Sequence, residues 1–176
     1  MNRELKVGVV GIGSIFTNQH LPGWNALDGV EVVAAADINE VTLAKNGETA
    51  EIPKKHRYTD YETMLEKEDL DIVDVCTPNS YHKDPTIAGF EAGCHVICEK
   101  PITISAENAE EMIEAAEKAG KLFMVAQSMR FSPTSLALKR WVDEGLVGDI
   151  YWGRASYLRP RGVPAWGDFI RKEMSE

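Results

Sequence analysis

Two glycines that follow the first apolar run of the chain are the first residues with a recognisable chemistry. Gly11 and Gly13 come directly after residues 5–10 and precede a stretch of helical character. Such a turn lets the backbone approach a pyrophosphate, and the N–H groups at the start of the helix offer partial positive charge. A plain tight turn uses the same glycines. Phe16 also stands where a third glycine is usual, so the pair alone is weak evidence for a dinucleotide site.

An acidic residue at the end of the second apolar run strengthens that interpretation. Asp37 follows residues 30–36 and lies 24 residues after Gly13, close to the ~20-residue spacing of an acid that binds the ribose of a dinucleotide. A carboxylate there accepts hydrogen bonds from the ribose hydroxyls and repels a 2′-phosphate. Residues 38–40 supply no positive charge. The pattern predicts NAD over NADP, although an acid at a helix start is also common for structural reasons.

Two further polar segments follow apolar runs. Residues 77–82 follow the run at 71–76, and Glu99 and Lys100 follow the run at 95–98. Ligands of open α/β sheets bind beyond the carboxyl ends of the strands, so both segments are candidates. An ammonium such as Lys100 can bond a substrate hydroxyl or carbonyl and change the acidity of neighbouring groups. Considered alone, each segment is better explained as a turn or as solvated charge.

The elements that must position these residues alternate regularly along the chain. Five apolar runs, at 5–10, 30–36, 71–76, 95–98 and 122–126, are separated by helical patterns that include residues 80–92 and 105–120. Continuous apolar runs are typical of strands covered on both faces. The alternation predicts an α/β fold, a doubly wound parallel sheet of the Rossmann type with right-handed crossovers. Residues 57–59 are a candidate edge strand.

The sequence pattern changes near residues 145–149, where the alternation of apolar runs and helical patterns ends. Residues 1–148 are predicted to form one complete Rossmann domain, and residues 149–176 the beginning of a second, truncated α/β substrate domain. Within that second part, residues 150–158 have the pattern of a longer strand.

Composition excludes several classes of protein. Nineteen basic and 28 acidic residues give a net charge of −9, which argues against binding nucleic acid or a membrane surface. No apolar run is long enough to span a membrane, and no signal peptide is visible. Three cysteines in apolar surroundings predict free thiols in a reducing compartment. The sequence therefore predicts a soluble, cytoplasmic protein, and no metal site is predicted.

Taken together, the motifs resemble the glucose–fructose oxidoreductase and inositol dehydrogenase family. The resemblance rests on residues 7–13 (VGVVGIG), on 76–79 (CTPN) with His82, on 92–101 (AGCHVICEKP) and on 130–133 (RFSP). It covers nearly all of the first 150 residues, and the order and spacing of the motifs make it specific.

The resemblance implies a fold, an activity and a set of site residues. A Rossmann domain would bind NAD, or less favourably NADP, and an α/β domain would hold a sugar or polyol substrate and build a homo-oligomer. Hydride would pass between a carbinol carbon of a sugar, a cyclitol or a related compound and the nicotinamide. Lys100 would be catalytic, assisting proton movement, and the Lys100–Pro101 bond is a candidate cis peptide. The implied cofactor-binding residues are Gly11, Gly13, Ser14 and Ile15 at the pyrophosphate, Asp37 at the adenosine ribose, Thr77, Asn79 and His82 along the dinucleotide, Glu99 and Lys100 near the nicotinamide, and Arg130 beside the cleft.

One departure from the family pattern leaves the function open. The catalytic Asp and His of the family follow a glycine-rich stretch that this sequence does not reach, and His20, His56 and His95 do not match that motif. The chain alone is therefore expected to bind NAD but to turn over little. One alternative is a non-catalytic NAD-binding module that regulates or senses. Another is a methyltransferase using S-adenosylmethionine, which leaves the Glu99-Lys100-Pro101 motif unexplained.

Overall fold

The computed structural model describes residues 4–156 and 158 and contains a six-stranded sheet in which every neighbouring pair is parallel. The strand order is β3-β2-β1-β4-β5-β6. The strands are β1 (Leu5–Val10), β2 (Val30–Ala36), β3 (Arg57–Tyr58), β4 (Ile72–Val75), β5 (His95–Cys98) and β6 (Phe123–Val125). The order reverses between β1 and β4, which places the ligand crevice of such a sheet beyond their carboxyl ends. The predicted Rossmann-type fold is confirmed.

Helices cover both faces of this sheet. They are α1 (Leu21–Asn25), α2 (Glu40–Thr49), α3 (Tyr61–Lys67), α4 (Lys83–Glu91) and α5 (Ala106–Ala119). A sixth helix, α6 (Pro133–Asp143), follows them in the chain. The helix predicted at 105–120 is confirmed as α5. Ser105 caps its start by accepting a hydrogen bond from the N–H of Asn108, and Gly120, with φ +63°, ends it in the left-handed conformation. The helix predicted at 80–92 instead starts as a 3-10 turn, Asn79–Tyr81, and continues as α4.

Two buried apolar clusters lie on opposite faces of the sheet. Alternate side chains of a strand point to opposite faces, and accordingly Val9 belongs to one cluster and Val10 to the other. The cluster with Val9 packs against Phe16 and Leu43, and the cluster with Val10 packs against helices α3, α4 and α5. Because both faces are covered, the strands read as continuous apolar runs, which is why the sequence predicted them.

The described residues form two compact units, divided after Ala126. The first contains the whole sheet with α1–α5, and the second contains a 3-10 turn, Ser128–Phe131, and α6, a helix that the sequence pattern did not predict. The predicted domain boundary near residue 148 falls inside the second unit and stays a prediction.

The strand predicted for residues 150–158 is wrong where the structure describes them. Residues 150–156 and 158 have no regular secondary structure. A strand needs a neighbour for its N–H and C=O groups, and no sheet neighbour for this segment is present among the described residues. Residue 157 and the rest of the predicted second domain, from residue 159, lie outside the described residues. Within the described part of the chain, no helix combines the length and the apolar character that crossing a membrane requires.

Candidate functional site

The glycine turn, residues 11–15, has one glycine that the fold requires and one that faces open space. Gly11 has φ +88°, and a Cβ built on it would lie 2.8 Å from the carbonyl carbon of Cys76. The end of β1 thus passes against the backbone that follows β4, where no side chain fits. A Cβ on Gly13 would meet no atom within 4 Å. The second glycine therefore leaves room for a ligand to approach the backbone.

Asp37 holds the glycine turn from the neighbouring strand. Its Oδ2 accepts a hydrogen bond from the N–H of Ile12 at 3.1 Å, and its Oδ1 accepts one from the N–H of Asn39 at 2.8 Å. The amide of Asn46 donates to the carbonyl of Ile12 at 2.7 Å. Residues on β2 and α2 thus fix the peptides of the turn. The helical segment that begins at Ser14 and includes Ile15 leaves its first N–H groups without intrahelical acceptors.

The segment after β4 is joined to the segment after β5 by a buried histidine. His82 has no exposed surface. Its Nδ1 lies 2.8 Å from the carbonyl oxygen of Pro101, and its Nε2 lies 2.9 Å from that of Thr77. The hydroxyl of Thr77 donates to the carbonyl of Tyr81, while Asn79 is half-buried in the adjoining 3-10 turn. His82 therefore connects the two loops, and both of its ring nitrogens face protein atoms.

Glu99 and Lys100 stand directly after β5. The carboxylate of Glu99 is buried, and its Oε2 accepts the N–H of Lys100 at 3.0 Å. The Nζ of Lys100 lies 3.9 Å from the same oxygen, while its side chain is 54% exposed. The Lys100–Pro101 peptide is cis, which confirms the expectation. Lys100 thus offers an accessible ammonium at the carboxyl edge of the sheet.

Behind Glu99 lies a buried charge cluster of His20, Asp74 and Glu99 that sequence reasoning missed. The Nδ1 of His20 lies 3.0 Å from both carboxylate oxygens of Asp74, and its Nε2 lies 3.0 Å from Oε1 of Glu99. The indole N–H of Trp24 donates to Asp74 at 2.7 Å. A signal was present in the sequence, because Asp74 interrupts an apolar strand covered on both faces, where a carboxylate needs partners.

The cluster requires a positively charged histidine. Both ring nitrogens of His20 face carboxylate oxygens, and only the imidazolium donates from both nitrogens. Burial alone would lower the pKa of His20, but the hydrogen bonds and charges of Asp74 and Glu99 outweigh burial and raise this pKa from 6.5 to about 10. Burial would raise the pKa of Glu99, yet His20 and the N–H of Lys100 hold that pKa below its ordinary value.

An irregular helix presents His20 to the sheet. Phe16–His20 is a π-helix, in which the N–H of Leu21 donates to the carbonyl of Phe16. Pro22 follows at once and has no N–H to continue the α-helical pattern. Phe16 itself is fully buried against the sheet, so the aromatic residue at the third glycine position belongs to the core.

His20, Asp74 and Cys76 also offer the ligand types of a metal site, with ligand atoms within 4.8 Å of one another. A metal needs a thiolate and a ring nitrogen with a free lone pair. Burial, followed by the charge of Asp74, raises the pKa of the Cys76 thiol well above its usual range. The Nδ1 of His20 is a donor to Asp74 when the ring is an imidazolium. The donor set therefore favours a hydrogen-bonded cluster over a metal site.

Contacts join most of the predicted site residues at one edge of the sheet. The glycine turn touches Asp37 on one side and the backbone of residues 76–77 on the other. His82 then connects Thr77 to the turn that carries Lys100. Arg130 is exposed in the second unit, in the turn Ser128–Phe131, and its role stays a prediction.

A parallel sheet in this strand order, with a glycine turn after the first strand and an acid after the second, defines a dinucleotide-binding Rossmann domain. Residues 5–127 match the model of the GFO/IDH/MocA family, described as an oxidoreductase family with an NAD-binding Rossmann fold. The chain belongs to this family, as its motifs indicated.

Relatives of the chain include sugar and cyclitol dehydrogenases. It is 35% identical over 173 residues to D-glucoside 3-dehydrogenase of Escherichia coli, aligning 97% of this chain with 48% of that protein. It is 32% identical to inositol 2-dehydrogenase of Salmonella typhimurium over 163 residues, aligning 92% of this chain with 48% of that protein. The chain thus spans about half the length of these relatives.

A solved structure gives the same picture. The WlbA dehydrogenase of Chromobacterium violaceum, in complex with NADH and UDP-GlcNAcA, superposes with a TM-score of 0.79 at 32% identity, covering 86% of this chain and 43% of that one.

Proposed function

We propose that this chain is the cofactor-binding part of an NAD-dependent dehydrogenase that transfers hydride between the nicotinamide and a carbinol carbon of a sugar, cyclitol or related polyol. The substrate class is inferred from the relatives that act on glucosides and inositol. NAD, when bound, supplies the hydride acceptor. The residues of this chain bind it, orient it and assist the movement of the hydroxyl proton.

The observation that carries the proposal is the difference between the two glycines of the turn. The space beside Gly11 is occupied by the backbone of residues 76–77, whereas the space beside Gly13, at the start of a helix, is open. A diphosphate fits such a place, since N–H groups and the helix dipole point towards it. Gly11, Gly13, Ser14 and Ile15 would hold the pyrophosphate of NAD.

The surroundings of Asp37 support NAD over NADP. Each carboxylate oxygen accepts one backbone N–H and keeps a lone pair for a ribose hydroxyl. Arg57, on the adjacent strand, donates to the carbonyls of Ile52 and Ala44 and is engaged away from a 2′-phosphate. Ile38, which follows Asp37 in the chain, is 91% exposed and offers an apolar surface to the adenosine end of the cofactor.

At the other end of the site, Lys100 is the group we assign to proton movement. Its ammonium is exposed and carries donors for a substrate hydroxyl. Thr77 and Asn79 would line the dinucleotide, while Glu99 and His82 hold the loop that carries Lys100. Positioning of the reacting carbon contributes about 7–11 kcal/mol to lowering such barriers.

None of the four histidines of this chain is placed to act as the general base. His20 and His82 have both ring nitrogens engaged. His56 pairs with Glu68, and His95 accepts the N–H of Leu122. His56 precedes β3 and His95 begins β5, so both stand at the amino edge of the sheet. We therefore infer that these 176 residues bind NAD but turn over little, because losing the base lowers rates by about 10²- to 10⁴-fold.

The free thiols fit a reducing setting. Cys76, Cys94 and Cys98 are all buried and form no disulfide. Cysteines of cytoplasmic proteins are kept reduced in the same way. We infer a cytoplasmic location on this basis.

The test is a calorimetric titration of the chain with NAD and with NADP. We expect NAD to bind at least about tenfold more tightly, the effect of one charge repulsion at the ribose. Replacing Asp37 with Ser should remove this preference, because it weakens the binding of NAD and removes the repulsion of the 2′-phosphate of NADP.

The matched control is Asp69→Asn, an exposed acid before β4 that pairs with Lys6 at the opposite edge. It should leave the affinity ratio unchanged. Saturable binding of S-adenosylmethionine in place of NAD, or equal affinities for NAD and NADP, would count against the proposal.

A further inference from the structure

Glu99 connects the buried charge cluster to the exposed Lys100. One carboxylate oxygen, Oε1, faces the imidazole of His20 at 3.0 Å. The other, Oε2, accepts the backbone N–H of Lys100 at 3.0 Å and lies 3.9 Å from its Nζ. This carboxylate therefore holds the backbone of Lys100 by a hydrogen bond and faces its ammonium, and His20 holds the oxygen on the far side.

His20 is in turn fixed by the strand beneath it. Asp74, on β4, has no exposed surface, and both of its oxygens lie 3.0 Å from Nδ1 of His20. Trp24 and the thiol of Cys76 donate to the same carboxylate. A neutral side chain at position 20 would leave two carboxylates in one buried pocket, and like charges in such a place disfavour ionisation of both.

We propose that His20, as an imidazolium held between Asp74 and Glu99, is a positioning residue for Lys100. It keeps Glu99 ionised and turned so that Oε2 holds Lys100 at the nicotinamide end of the cofactor. This inference rests on the proposed function. Among the described residues, the charged and titratable groups that face His20 are Asp74 and Cys76 from β4 and its end, and Glu99 from the end of β5, with Lys100 beyond.

A positioning role and a purely structural role differ in which ligand they affect. ADP-ribose carries the adenosine and the diphosphate but no nicotinamide. The glycine turn and Asp37 bind the part that the two ligands share, while Lys100 stands at the end that only NADH has. A positioning role of His20 therefore changes the ratio of the NADH and ADP-ribose affinities, whereas a general loss of folded protein weakens both ligands equally.

The experiment measures both affinities for the wild-type chain and for His20→Gln by calorimetry. We expect NADH to bind about tenfold more weakly to the variant, which is the contribution of a charge-assisted hydrogen bond, while the ADP-ribose affinity stays within about twofold. The matched control is His56→Gln. His56 also pairs with a glutamate, Glu68, at 2.6 Å, but it stands outside the cluster, so its ratio should equal that of the wild type.

Nitrogen NMR of the ring nitrogens gives a readout that stability does not move. The chain has four histidines, so ¹⁵N-histidine labelling yields a spectrum that single substitutions assign. We expect both nitrogens of His20 to be protonated at pH 8. Asp74→Asn keeps the shape of the buried side chain and provides a second variant, which should lower the NADH affinity in the same direction by a smaller factor.

Three outcomes overturn the inference. Two of them concern the positioning role alone, and the third concerns the proposed function as well. An unchanged ratio of NADH to ADP-ribose affinity in both variants overturns the positioning role, and so does a neutral His20 ring at pH 7. Failure of the wild-type chain to bind either ligand overturns the proposed function itself, and the positioning role with it. If His20→Gln does not fold, the ratio for Asp74→Asn decides.

Discussion

The two ends of the candidate site are built in different ways. The glycine turn is shaped by backbone, with Gly11 packed against the chain at Cys76 and with the N–H of Ile12 held by Asp37. The Lys100 end is shaped by buried charge, with an imidazolium between two carboxylates. The first end depends on two positions that carry no side chain, Gly11 and Gly13, whereas the second depends on a cation between two buried carboxylates. We therefore expect them to fail under different changes.

The largest effect is expected from emptying the charge cluster. His20→Ala leaves Asp74 and Glu99 buried without their shared cation, and breaking a buried ion pair costs about 3–5 kcal/mol. Urea unfolding followed by circular dichroism should show this loss in the free energy of unfolding. A loss below about 1 kcal/mol would mean that the two carboxylates find other partners.

A smaller loss of stability is expected at the glycine turn, where the two glycines should behave oppositely. Gly11→Ala places a side chain at φ +88° and 2.8 Å from backbone atoms, and a strained backbone of this kind costs about 1–3 kcal/mol. Gly13→Ala meets no atom within 4 Å, so its free energy of unfolding should change by less than about 0.5 kcal/mol.

Gly13→Ala should nevertheless weaken NAD, because the added methyl group occupies the approach to the backbone. Calorimetry on both variants, beside the unfolding curves, separates the two effects. Equal losses of stability in the two variants would remove the distinction between a glycine required by the fold and one required by the ligand.

The most gradual effect is expected from pH. His20 has a pKa of about 10 in the folded chain and 6.5 as its ordinary value. Its contribution is therefore complete below pH 6.5 and is lost as the pH rises through about 10. Between these two pKa values, the free energy of unfolding should fall by about 1.4 kcal/mol for each pH unit.

Urea unfolding between pH 7.0 and 8.5 measures this slope below the ordinary pKa of 9.0 for the cysteines. His20→Gln should give a flatter line over the same range. Parallel lines for wild type and His20→Gln would show that the cluster does not retain its proton.

The same contrast explains what the sequence could predict. The strands were predictable because burial on both faces produces local apolar runs, and β1, β2 and β5 have the predicted bounds. The glycine turn and Asp37 were predictable because their spacing along the chain follows from one β-α-β unit. These features all depend on neighbours in sequence.

The charge cluster was not predictable from spacing. His20 lies 54 residues from Asp74 and 79 residues from Glu99, and no local pattern records which side chains meet across a sheet. The strand predicted at 150–158 is wrong at its described residues for a related reason. Apolar alternation describes the two faces of a strand but does not indicate which segment would pair with it. Helix α6 begins after Ser132, in a segment that was interpreted only through its motif.

The π-helix at Phe16–His20 makes this part of the molecule sensitive to length. It accommodates more residues per turn than an α-helix, so Phe16 reaches the core and His20 reaches Asp74 before Pro22. Deleting one residue between Phe16 and His20 would return the segment to the ~3.6-residue repeat of an α-helix. It would also rotate the side chains after the deletion by about 100° around the helix axis. Insertions and deletions should therefore be far rarer here than substitutions when natural variants of this chain are collected.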